Sequence, residues 1–137
     1  MNMVDYDKAT FSLAIIDFDL FIECLQNLDN HLKDARENMC LIFREDNTEL
    51  IPFIEQYSLR KFETAKNYFK TVKKSIIKYT NKLQIFLSKN PKSKETFDTK
   101  VKTLNELIEE KEIVIDEEIA KCQDYIARNL KLEDTVD

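Results

Sequence analysis

The residues with the clearest capacity for chemistry are the lysines in the middle of the chain. Residues 58–102 carry 13 basic and 3 acidic side chains (net +10), whereas residues 1–57 carry 4 and 12 (net −8) and residues 103–137 carry 4 and 11 (net −7). A basic surface attracts acidic partners such as an actin filament, an anionic membrane or a nucleic acid. The lysines expected to form this partner-binding surface are Lys66, Lys70, Lys73, Lys74, Lys78, Lys89 and Lys92.

The kind of basic residue argues against nucleic acid as the partner. Arg60 is the only arginine among the 13 basic residues of this segment, and the whole chain has a net charge of −5. Bidentate recognition of bases and phosphates favours arginine. The alternative to any acidic partner is that the lysines pair with carboxylates inside the molecule and maintain its solubility.

Metal-binding and catalytic residue types are too few and too scattered to form a recognisable site. His31 is the only histidine, and Cys24, Cys40 and Cys122 do not supply the close spacing of zinc ligands. Paired carboxylates such as Glu109-Glu110 and the run 116–118 lack the inward Glu-x-x-His pairs of a di-iron bundle, and are interpreted as solvated helix faces. The sequence therefore predicts a non-enzymatic protein without a cofactor or metal.

The cysteines and the first residues predict a cytoplasmic location. An odd number of widely spaced cysteines is typical of reduced thiols inside the cell. The first ten residues contain Asp5 and Asp7 instead of the basic start of a secretory signal. The most apolar stretch, residues 11–25, is interrupted by carboxylates and is too short to span a bilayer.

Apolar residues recur at alternating steps of three and four, which predicts amphipathic helices with continuous apolar seams. The first seam is Phe11, Ala14, Phe18, Phe21, Leu25, Leu28, Leu32, Ala35, Met39 and Ile42. The second is Phe62, Ala65, Phe69, Val72, Ile76, Tyr79, Leu83 and Phe86. The third is Phe97, Val101, Leu104, Ile108, Ile115, Ile119, Cys122, Ile126 and Leu130, with a stutter expected at Lys111-Glu112.

These seams predict one all-α domain over residues 1–137, with long helices near 10–44, 48–88 and 94–131. The segment 49–57 is out of phase with the second seam, so it either begins that helix or forms a short separate one. The segment from Lys89 to Ser93 is predicted to be a loop, and either Ser93 or Thr96 is predicted to cap the last helix. Short connections make consecutive helices antiparallel, so we expect an elongated up-down-up bundle of three long helices.

The first helix has apolar residues outside its seam, on nearly every side. They are Leu13, Ile15, Ile16, Leu20 and Ile22. Because a helix that is apolar all round is normally buried all round, we expect self-association or docking on another helical protein here. The alternative is that a short helix at 49–57 covers these residues.

Several short motifs occur in an order that resembles a known family. Asp7-Lys8-Ala9-Thr10 leads into the first seam, Phe62 and Ala65 open the second, and Leu83-Gln84-Ile85-Phe86 precedes Asn90-Pro91-Lys92. This order resembles the C-terminal coiled part, or post, of a formin homology-two domain. The resemblance implies a dimerising, actin-associated scaffold. The family's Gly-Asn-x-x-Asn signature and its actin-contacting isoleucine are missing, so no functional residue carries over.

A second resemblance lies in the basic segment. Residues 59–69 read Leu-Arg-Lys-Phe-Glu-Thr-Ala-Lys-Asn-Tyr-Phe, which is similar to the basic second helix of some BAR domains. That resemblance implies three long helices that dimerise and bind acidic membrane surfaces, although BAR helices are usually longer. A third possibility is a contact subunit of a larger helical complex.

Overall fold

The computed structural model describes the backbone of residues 3–45 and 48–135, and the side chains of residues 5–44 and 49–129. Every residue of those backbone ranges except Asn27 and Asn90 lies in a helix. The predicted all-α class is therefore confirmed for the described chain.

The first predicted helix is two helices, α1 (Met3–Gln26) and α2 (Leu28–Glu45). The prediction of one helix from about residue 10 was wrong at its start and at Asn27. The Asn27 side-chain amide and its backbone N–H both donate to the Glu23 carbonyl, at 3.0 and 3.1 Å, so the side chain competes locally for a helix acceptor. The seam continues past this point, because Leu25 and Leu32 are both buried.

The second predicted helix begins with a 3-10 turn (Thr48–Leu50) and a short helix α3 (Ile51–Phe53). A π-helical segment (Ile54–Leu59) follows, and then α4 (Arg60–Lys89). The segment 49–57 is thus continuous with the long helix. Buried Ile54, Ser58 and Phe62 are spaced four and four, one residue more than a heptad allots, and the wider π turn accommodates that spacing. This explains the change of phase in the sequence.

The last helix, α5 (Pro91–Thr135), follows α4 after the single residue Asn90. The Asn90 side-chain amide donates to the Phe86 carbonyl at 2.7 Å, and the Asn90 carbonyl accepts from the Lys94 N–H at 2.9 Å. Pro91 then occupies the first helical position, where it needs no N–H partner. The predicted five-residue loop and the caps at Ser93 and Thr96 were wrong, because those residues lie inside α5.

The contacts divide the chain into two compact units, residues 1–27 with 68–110, and residues 28–67 with 111–137. In the first unit Phe18 is fully buried, and its ring centroid lies 5.7 Å from that of Tyr79 and 5.2 Å from that of Phe97. In the second unit the Phe43 and Tyr125 rings stack with centroids 4.5 Å apart. Each unit has its own apolar core.

The third seam is regular along α5. Phe97, Leu104, Ile108, Ile115, Glu118, Cys122, Tyr125 and Asn129 are all buried. The Lys111 side chain, only 12% exposed, occupies the position between Ile108 and Ile115. The expected stutter was therefore wrong, since polar residues hold seam positions in an unbroken helix. The Leu130 side chain lies outside the described side chains.

Candidate interaction surfaces

The lysines singled out from the sequence fall into two groups. Lys70, Lys73, Lys74, Lys78, Lys89 and Lys92 are exposed and belong to the first unit. Lys66 belongs to the second unit, where its Nζ lies 2.7 Å from Asp116 Oδ1. That hydrogen bond is the main reason why the pKa of Lys66 is raised. Lys66 therefore has an ion-pair partner within the molecule, and its place on the partner-binding surface stays a prediction.

The exposed lysines of α4 are interleaved with exposed apolar side chains. Ile77 is 60% exposed and Ile85 is 71% exposed. We call this surface the lysine face; it consists of Lys70, Lys73, Lys74, Ile77, Lys78, Ile85 and Lys89. Both isoleucines lie outside the heptad pattern, so they were not predicted from the sequence. The result is a surface that combines positive charge with apolar contact area.

The apolar residues outside the seam of α1 separate into exposed and half-buried sets. Leu13, Ile16 and Leu20 are each more than half exposed, whereas Ile15 and Ile22 are half-buried. We call the three exposed residues the α1 stripe. The α1 stripe is therefore an exposed apolar surface of the first unit, and its self-association or docking on another helical protein stays a prediction.

Carboxylates border the α1 stripe. Glu23 is exposed and follows Ile16 by two helical turns. Asp19 Oδ1 accepts a hydrogen bond from Lys100 Nζ at 2.5 Å, yet the Asp19 side chain remains 56% exposed. The stripe is thus an apolar surface with an acidic edge.

In the second unit, a groove runs between α2 and residues 50–64. One cavity of about 420 Å³ is lined by His31, Leu32, Gln56, Tyr57, Arg60, Lys61 and Thr64. A smaller cavity of about 230 Å³ is lined by Asn38, Leu41, Ile42, Leu50 and Phe53. The Phe53 and Tyr57 rings stack between the two, with centroids 5.4 Å apart. We call the two cavities together the α2 groove.

The α2 groove has a basic end and an apolar end. Lys61 Nζ lies 4.7 Å from the centroid of the Tyr57 ring, a cation–π distance. Arg60 is exposed beside it. At the other end Leu41 is 53% exposed and Phe53 is 46% exposed. The groove was not predicted from the sequence, although the change of phase at the π segment was visible there.

A cluster of four charged side chains joins α2 to α5 in the second unit. Arg36 Nε donates to both Glu118 carboxylate oxygens at 2.9 and 3.0 Å, and Arg36 Nη1 lies 2.9 Å from Asp29 Oδ1. Lys111 Nζ lies 3.1 Å from Asp29 Oδ2. We call Asp29, Arg36, Lys111 and Glu118 the charged cluster.

Ion pairing within the charged cluster shifts the pKa values of its members. The hydrogen bond to Glu118 raises the pKa of Arg36, and the hydrogen bond from Arg36 lowers the pKa of Asp29 against a smaller opposing effect of burial. The Glu118 side chain is only 9% exposed. The interpretation of run 116–118 as a solvated face was therefore wrong for Glu118. The cluster holds two helices in register.

Two further groups have raised pKa values. Burial, and secondarily a hydrogen bond with the Asp17 carboxylate, raises the pKa of Tyr79 to about 12. Burial raises the pKa of the Cys122 thiol to about 11, and its Sγ lies 3.3 Å from Met39 Sδ. Both groups are protonated at neutral pH.

The described residues offer neither a metal site nor a membrane span. Those residues contain no group of three or more His, Cys, Asp or Glu side chains placed to hold a metal ion. Among the described helices, none combines the length and the apolar character that a membrane span requires.

Comparison of the chain with protein-family models, with curated proteins and with solved structures found no match.

Proposed function

We propose that this protein is a non-enzymatic helical scaffold whose lysine face binds an acidic protein partner. The observation that carries the proposal is the lysine face itself, where exposed lysines flank Ile77 and Ile85 on a single helix. Lysines supply long-range attraction, and exposed isoleucines supply short-range contact area. An actin filament is the specific candidate, in keeping with the resemblance to the formin post.

The scaffold is proposed to be an elongated antiparallel up-down-up bundle. In support, Phe11 pairs with Phe86, Phe18 with Tyr79, and Phe21 with Tyr68, so contacts along α1 and α4 run in opposite order. The single connecting residue Asn90 also favours reversal of the chain between α4 and α5.

A second candidate function is binding to an anionic membrane in the manner of a BAR-like module. The exposed Ile77 and Ile85 side chains favour it, because apolar residues among lysines can enter the headgroup region while the ammonium groups attract acidic lipids.

A third candidate function is that of a contact subunit in a larger helical complex. The Lys66–Asp116 ion pair favours it, because there a lysine of the basic segment pairs with a carboxylate of the same chain.

Co-sedimentation separates these candidates. The protein is mixed with actin filaments, and separately with vesicles containing acidic lipid, at low and high salt. Sedimentation with filaments alone supports the scaffold, and sedimentation with acidic vesicles alone supports the membrane module. Absence of binding to both contradicts the first two candidates.

A pair of matched variants tests whether the lysine face makes the contact. Lys70→Glu/Lys74→Glu removes two exposed lysines from the face, each worth about 1 kcal/mol near an acidic surface. We expect affinity to fall at least about 30-fold, since 1.4 kcal/mol is tenfold. The control Lys33→Glu/Lys121→Glu makes the same change in net charge at exposed positions elsewhere. Equal losses in both variants would contradict a specific lysine face.

A further inference from the structure

We propose that the protein recognises a second copy of itself by placing the α1 stripe of one copy in the α2 groove of the other. The stripe lies in the first unit and the groove in the second, so each copy carries both halves of the contact. This contact uses no residue of the lysine face and therefore goes beyond the proposed function. It can succeed or fail independently of binding to an acidic partner.

The chemistry of the two surfaces is complementary. The α1 stripe offers Leu13, Ile16 and Leu20 with an acidic edge at Glu23. The α2 groove offers Leu41 and Phe53 at one end, followed by basic side chains at the other. Apolar groups that are now exposed would be buried against one another, and carboxylates would face cations.

The order of apolar and charged groups along the two surfaces also agrees. Glu23 follows Ile16 by seven residues, and Arg60 follows Phe53 by seven residues. On α1 these seven residues extend about 10 Å. In the groove the Phe53 ring stacks on the Tyr57 ring, and Lys61 Nζ lies 4.7 Å from the Tyr57 ring centroid, so a basic group again follows an apolar one along the chain. With Ile16 seated against Phe53, the Glu23 carboxylate would face the basic end of the groove. The proposed docking therefore places α1 of one copy in the same direction as the chain from Phe53 to Arg60 of the other.

Like-with-like pairing is disfavoured by charge. Two α1 stripes placed together would bring carboxylates such as Asp19 and Glu23 near their counterparts, and two grooves would bring Arg60 and Lys61 near theirs. The contact is therefore between unlike surfaces. One such contact uses the stripe of one copy and the groove of the other, so the remaining stripe and groove either close a ring of two or more copies or continue as a chain of copies.

Complementation between two variants tests this proposal. Ile16→Gln/Leu20→Gln removes exposed apolar groups from the stripe and leaves the groove intact. Leu41→Gln/Arg60→Glu alters exposed residues of the groove and leaves the stripe intact. Each variant alone should lose association at least tenfold in analytical ultracentrifugation, whereas an equimolar mixture should form a one-to-one dimer through the remaining intact stripe and groove.

Three controls test whether any loss of association is specific to the stripe and the groove. Ile113→Gln changes an exposed isoleucine outside both surfaces and should leave association unchanged. Circular dichroism checks that every variant keeps its helical content. The charge exchange Glu23→Arg/Arg60→Glu within one chain should recover association that either single change weakens. A wild-type protein that stays monomeric at millimolar concentration, or variants that associate as it does, or a mixture that stays monomeric, would overturn the proposal.

Discussion

Removing the arginine from the charged cluster should destabilise the protein more than any exposed lysine substitution. In Arg36→Met the Glu118 carboxylate, whose side chain is only 9% exposed, loses its bidentate partner. Breaking a buried ion pair by deleting one member typically costs about 3–5 kcal/mol. The Arg36 side chain is itself 28% exposed, so water already weakens this pair and the lower end of that range applies. We expect a loss of about 3 kcal/mol in the free energy of unfolding.

Replacing both Arg36 and Glu118 should recover much of the lost free energy of unfolding. In Arg36→Met/Glu118→Leu the seam position on α5 becomes apolar, and no buried charge is left without a partner. Replacement of an ion pair by packed apolar residues is often neutral or stabilising. We expect the double variant to be within about 1 kcal/mol of the wild type, even though it carries one change more.

Urea unfolding followed by circular dichroism measures these differences, and a loss of about 3 kcal/mol corresponds to roughly 10 °C in Tm for a chain of this length. Lys33→Met provides the control, because Lys33 is an exposed cation on the same helix. It should change stability by less than about 0.5 kcal/mol. If Arg36→Met is as stable as Lys33→Met, the reasoning about buried charge is refuted.

Two other predictions concern groups with raised pKa values. A thiol reagent at pH 8 should modify exposed Cys24 and Cys40 quickly and Cys122 only as the protein unfolds, because that thiol is buried and its pKa is about 11; fast modification of all three would contradict this. Stability should fall between pH 10 and 12, because Tyr79 ionises at its ordinary pKa of 10.0 when unfolded but at about 12 when folded, so the unfolded state holds fewer protons there. Tyr79→Phe, which retains the ring against Phe18, should show a shallower fall in alkaline denaturation, and an identical slope would contradict the assignment.

The sequence was sufficient to predict the helices and most of their buried seams. Phe18, Phe62 and Leu104 lie at three-four spacing, and burial of that spacing follows from helical geometry alone. Lys111 was misread as a break in the seam and Glu118 as part of a solvated face, because the sequence alone does not show that a polar residue occupies a buried seam position. Only the partner brought by another helix reveals why such a residue is tolerated.

Two aspects of the candidate surfaces could not be read from the pattern. The α2 groove depends on the π segment Ile54–Leu59, which packs against α2, and the sequence pattern showed a change of phase there without revealing the wider turn. The exposure of Leu13 and Ile77 depends on which neighbours pack beside them, and apolar character alone does not distinguish a core residue from an open contact surface.

The connection at Asn90 has a consequence for how the chain is cut. Proteases bind their substrates as extended strands, and Asn90 is a single residue held between two helices by its side-chain and backbone hydrogen bonds. Its neighbours Lys89 and Lys92 are exposed lysines, the residue type after which trypsin cleaves, but their backbone is helical and not extended. Tryptic cleavage there would therefore report transient opening of the helix ends, and its rate would measure how often they open.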